Sequence, residues 1–103
     1  MYVSKLIGLL EKVEDYLGQH SFRDVKVLSY IFESKHSDVY YQSIIRDTNI
    51  SAVSATRSLK LLSDRDMITI SMDNEDTRKK SVSLTDKGNE LKAYVIEIFS
   101  NKS

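Results

Sequence analysis

The chain contains no cysteine. A disulfide framework, a thiolate metal site and a cysteine nucleophile are therefore all excluded. Proline is also absent and glycine is limited to Gly8, Gly18 and Gly88, so no Pro- or Gly-rich linker divides the chain. There is no long apolar run. The opening stretch MYVSKLIGLLEKVEDYLG is interrupted by Lys5, Glu11, Lys12, Glu14 and Asp15. It is expected to be neither a signal peptide nor a membrane span, and the expected location is cytoplasmic. Charge of one sign is missing too. Lys and Arg number 15 and Asp and Glu number 15, so gross charge cannot hold a polyanion, and any nucleic-acid contact must come from local placement of basic residues.

What is present suits one small globular unit. At 103 residues the chain is expected to be a single domain over residues 1–103. Val3, Leu6, Leu10, Val13 and Leu17 recur at steps of three and four, which gives one helix with an apolar seam. Gly18 is its expected stop. Ser21 and Asp24 form a near capping box for a second helix carrying Val25, Leu28, Ile31 and Phe32. A third helix is expected from Val39 to Thr48, with Tyr41, Ile44 and Ile45 inward. Asp47-Thr48-Asn49 is turn chemistry, and Ser51 can cap a fourth helix over residues 52–63. In that helix Ala55, Leu59 and Leu62 share one face. Val53, Arg57 and Lys60 share the opposite face, flanked by Ser54 and Thr56.

The period then becomes two. Ile68, Ile70 and Met72 alternate with polar residues, as do Val82 and Leu84, so two strands are expected on either side of a charged tip at residues 73–80. After Thr85, an expected N-cap, the helical period returns with Leu91, Tyr94, Val95, Ile98 and Phe99. The predicted class is mainly α with a small β-hairpin (α+β). The short helix, turn and next helix of residues 39–63 form a helix-turn-helix, and the hairpin of residues 67–85 is its wing.

The stretch from Asp76 to Gly88 also resembles the wing signature of MarR-type regulators. That signature is Asp-x-Arg, then Val-x-Leu-Thr, then Gly three residues after the Thr, and Asp76, Arg78, Val82, Leu84, Thr85 and Gly88 fill it. Thr56-Arg57, Leu62, Met67 and Ile68 resemble the family's recognition helix and first wing strand. The likeness spans roughly residues 20–90. One departure is Asp66, where the family usually has Gly; Asp tolerates the left-handed backbone expected there better than most residues. The chain is also short for the family. The resemblance implies a homodimer built from terminal helices, here residues 3–18 and 89–100, with Val3, Leu6, Leu10, Val13, Leu17, Leu91, Val95 and Ile98 at the interface.

The expected function is that of a sequence-specific double-stranded DNA-binding transcriptional regulator, most simply a repressor. Arg57 is the candidate for bidentate contact with guanine. Thr56 and Ser54 are candidates for base or phosphate contacts, Val53 for contact with a thymine methyl, and Lys60 for phosphate. At the wing, the resemblance implies that Arg78 enters the minor groove and that Asp76 orients it, with Lys79 and Lys80 beside them. Of Tyr40 and Tyr41 one is expected in the core, and the other, or Gln42, is a further candidate for donating to a phosphate. The target would be a pseudo-palindromic operator. The alternative is a winged-helix module that binds proteins without DNA. His20 and His36 lack a second ligand pattern, and Asp73-Asn74-Glu75-Asp76 has Arg78 where a calcium loop needs Gly. No metal, no cofactor and no catalytic constellation is expected, and a small-molecule effector stays unidentified.

Overall fold

In the computed structural model, residues 2–72, 75 and 79–100 are described. Among them the elements run α1 (Tyr2–Leu17), α2 (Phe22–Glu33), β1 (Val39–Tyr40), α3 (Tyr41–Thr48), α4 (Ala52–Asp64), β2 (Ile68–Met72), β3 (Lys80–Leu84) and α5 (Asp86–Ser100). The strands make one antiparallel sheet in the order β1-β3-β2. This is the α+β winged-helix arrangement. One element is new relative to the periodicity: Val39 and Tyr40 do not open the third helix but pair with Val82 and Ser81 of β3.

Local chemistry explains where the helices begin. The Asp24 carboxylate accepts from the Ser21 backbone N–H at 2.9 Å and from the Ser21 hydroxyl at 3.2 Å. That satisfies a donor which the start of α2 would leave bare. Thr85 does the same for α5 by accepting from the Gly88 N–H at 3.0 Å, while its own hydroxyl donates to the Asp66 carbonyl at 2.6 Å. Asp66 has φ of 61°, so the left-handed turn before the wing is made without glycine. Gly88 is required for a different reason. A Cβ there would lie 2.3 Å from the Met67 carbonyl oxygen, so the first turn of α5 packs directly on the chain entering β2.

The core joins the helices to the sheet. Val27, Leu28 and Ile31 of α2 meet Ile44 of α3, Leu59 and Leu62 of α4, Met67 and Ile68, and Val82 of β3. Each such fully buried side chain is worth about 1.5–3 kcal/mol. In β2 only Ile68 is buried; Ile70 and Met72 are 38% and 57% exposed, because the hairpin runs outward past the helices that would cover them.

The terminal helices require a correction to the interface expectation. Val13 is 9% exposed and Leu17 and Leu91 are 0% exposed, all three within the single chain's core. A second copy cannot be what buries them. The seam of α1 is continuous in sequence, but the fold divides it: the last two turns face inward and Val3, Leu6 and Leu10 stay exposed. Val95 and Ile98 are partly buried, and Val95 packs against the core. Ile7, Ile96 and Phe99 are exposed as well. These outer halves go with an elongated molecule of 50 × 23 × 23 Å.

Candidate nucleic-acid interface

The two helices of the candidate site are joined by a turn whose backbone is fixed residue by residue. The Thr48 hydroxyl donates to the Ile44 carbonyl. Asn49 then takes the left-handed conformation, with φ of 57° and ψ of 38°, a region that Asn enters more readily than most residues. Ser51 caps α4 by accepting from the Ser54 N–H at 3.2 Å. The short turn and the two caps hold α4 against α3 and α2.

On α4 the inner face comprises Ala55, Ser58, Leu59 and Leu62, all buried. Ser58 is a polar residue in that face, and Arg23 of α2 donates its Nε–H to the Ser58 hydroxyl at 3.2 Å. The outer face presents Ala52, Val53, Thr56, Arg57 and Lys60, all exposed, with Ser54 partly covered at its edge. Arg57 and Lys60 make no hydrogen bond or ion pair with the described residues. Thr56 differs from its expected role in one respect: its hydroxyl proton already bonds the Ala52 carbonyl at 2.8 Å. What Thr56 offers outward is a methyl group and an acceptor, not a donor.

At the wing, Asp76 and Arg78 lie outside the described residues. Lys79 and Lys80 are exposed at the start of β3. The Lys80 ammonium sits 5.8 Å from the centre of the Tyr41 ring, which steers it towards α3. Between the wing and α3 lies an open groove of about 320 Å³ lined by Tyr40, Gln42, Ser43, Arg46, Lys79 and Lys80. Of the two tyrosines, Tyr40 is 53% exposed. Tyr41 is partly buried, and that burial pushes its phenol pKa upward.

Arg46 is the groove residue that sequence reasoning missed. The available signal was its spacing of four from Gln42, which puts both on one helix face. Its Nε–H donates to Asp47 at 2.9 Å, and the Tyr30 hydroxyl donates to the other carboxylate oxygen at 2.6 Å. The hydrogen bonds from Arg46 and Tyr30 hold the Asp47 carboxyl below its ordinary pKa. Asp47 therefore stays ionised and anchors Arg46 at the groove edge. Among the described residues, no cluster of three or more metal-ligating side chains occurs.

No protein-family model and no curated protein sequence matches the chain. Solved structures do. The chain is similar to S. aureus MepR in a complex with DNA, with a TM-score of 0.70 and 21% identity over 97% of this chain and 84% of that one. It is similar to reduced AbfR bound to DNA, with a TM-score of 0.70 and 25% identity over 99% and 70% of the two chains. It is also similar to Staphylococcus aureus MarR in complex with salicylate and kanamycin, with a TM-score of 0.70 and 28% identity over 96% and 61%. From the order of its elements, the pairing of its wing strands and these likenesses, the chain has the winged helix-turn-helix fold of MarR-type regulators.

Proposed function

We propose that the protein is a sequence-specific double-stranded DNA-binding transcriptional regulator. The observation that carries this reading is the outer face of α4. Arg57 and Lys60 stand exposed there with no partner among the described residues, while the opposite face is sealed into the core. A guanidinium without an internal partner is available for guanine O6 and N7, and an unpartnered ammonium for phosphate. Val53 and the Thr56 methyl suit a thymine methyl, and Ser54 lies at the edge of the contact. The groove beside the wing adds Gln42, Arg46, Lys79 and Lys80 as phosphate contacts. Arg78 would reach the minor groove, oriented by Asp76. Two of the similar structures above hold DNA, which supports the same reading.

The working unit would be a homodimer through Val3, Leu6 and Leu10 of α1 and the outer half of α5, including Val95 and Ile98. Half-sites then lie about 10 base pairs apart, centre to centre, on a pseudo-palindrome. Occlusion of a promoter is the simplest mode of action. No catalytic role, metal or cofactor is part of the proposal, and the location proposed is the cytoplasm. None of the described helices is long and apolar enough to cross a membrane.

Selection of bound fragments from random duplex DNA tests the reading. Recovery of a symmetric motif, with binding lost in Arg57→Ala, is expected. A chain that enriches no sequence at low salt would instead favour the protein-binding alternative.

A further inference from the structure

Arg65 closes α4, and its backbone and side chain reach three different elements. Its N–H bonds back to the Leu61 carbonyl at 3.0 Å, within α4. Its Nε–H donates to the Leu17 carbonyl at 2.7 Å, at the end of α1. Its own carbonyl accepts from the Lys87 ammonium at 2.9 Å, in the first turn of α5. The last carbonyls of a helix have no partner inside it, and α1 has no basic residue in its last turn. Arg65 thus supplies from a distant part of the chain both the donor and the positive charge that the end of α1 favours. Gly18 makes this approach open. It stands at φ of 67°, and a Cβ there would be 3.4 Å from Arg65 Nε, so the guanidinium lies against the Gly18 backbone.

Helices α1 and α5 are themselves packed together. The Lys12 ammonium lies 5.8 Å from the Tyr16 ring centre on α1 and 5.1 Å from that of Tyr94 on α5. They form a frame, and Arg65 ties the end of α4 to it.

We infer that Arg65 is a positioning residue that fixes the orientation of α4 relative to the α1–α5 frame. Because the frame is the proposed dimer scaffold, Arg65 thereby sets the half-site spacing that the dimer accepts; this second part rests on the DNA-binding reading above. The lever is long enough to matter. A helix of 13 residues is roughly 20 Å long, so a tilt of about 10° at the Arg65 end displaces the other end by about 3 Å. That is close to the rise of one base pair, about 3.4 Å.

The test uses the full chain. Because the sequence has no cysteine, Glu11→Cys and Lys60→Cys place one spin label on α1 and one on α4. Their distance distribution is measured without DNA, in labelled chain diluted into unlabelled chain. With Arg65 in place a narrow distribution is expected. A broader one is expected for Arg65→Met, and an intermediate one for Arg65→Lys, which keeps the charge but not the Nε donor. Should Arg65→Met fail to fold, Arg65→Lys carries the comparison. An unchanged distribution in the folded variant overturns the inference, whatever happens to its melting temperature and whether or not the chain binds DNA.

Unlabelled protein is then titrated with duplexes whose half-site spacing is varied by one base pair either way. Arg65→Met is expected to lose about tenfold in affinity at the preferred spacing and less at the others. Equal loss at every spacing overturns the role in spacing. If the unsubstituted chain binds no duplex, the DNA-binding reading falls and the role in spacing falls with it, while the label distances still decide the coupling of α4 to the frame.

Discussion

At the scale of single residues, two kinds of position carry the molecule, and they fail differently. Arg57 is exposed and bonded to nothing in the described residues, so removing it should leave the fold untouched. We expect Arg57→Ala to keep its thermal midpoint and to lose about 1–3 kcal/mol of specific over non-specific DNA binding in competition shift assays. Gly88 is the reverse case. A methyl group there meets the Met67 carbonyl oxygen at 2.3 Å, so Gly88→Ala should cost about 1–3 kcal/mol in denaturant unfolding through overpacking. The surface of α4 would remain as it is. Both residues were legible beforehand: Arg57 from its place opposite Ala55, Leu59 and Leu62, and Gly88 from its place in the wing signature. The reason for Gly88 was not legible, because the atom it avoids lies 21 positions away in sequence.

At the scale of elements, the helix starts were readable wherever side chains act on their own backbone. Ser21 with Asp24, Ser51 with Ser54, and Thr85 with Gly88 are such cases. What escaped depends on contacts between distant segments. Strand β1 has two residues, too few for an alternating pattern, and exists because β3 lies beside it. The inward turn of Val13, Leu17 and Leu91 is set by what those helices pack against, which a seam of apolar residues does not specify. The tie between α2 and α3 is another instance. Hydrogen bonds from Arg46 and from Tyr30 lower the Asp47 carboxyl pKa, and the Tyr30–Asp47 bond raises the phenol pKa. The lowered Asp47 pKa makes its contribution present above the unfolded carboxyl value and lost as pH falls through the folded one. The raised Tyr30 pKa makes its contribution present below the unfolded phenol value and lost as pH rises through the folded one. The stability difference between the unsubstituted chain and Tyr30→Phe should therefore be greatest between the ordinary values of about 4 and 10 and shrink towards either end. Thermal unfolding of both proteins across that pH range measures it.

At the scale of the whole molecule, two apolar surfaces have to be distinguished. Leu10 is 57% exposed and Val13 is 9% exposed, although both belong to one stripe of α1. Leu10→Glu should give a folded monomer, and Val13→Glu a chain that unfolds. Light scattering with circular dichroism separates the outcomes, and a dimer retained by Leu10→Glu would place the interface elsewhere. The sheet adds a constraint of another kind. Ser81 and Val82 are paired on both sides, with Tyr40 and Val39 on one edge and Ser71 and Ile70 on the other. The middle of β3, rather than the root of the hairpin, is thus clamped to the residues that lead into α3. Under the proposed function the protein would grip a duplex like a caliper with a locked jaw. Any mismatch in groove width would have to be absorbed by the nucleic acid, so operators should differ in affinity according to how readily their untouched base steps deform.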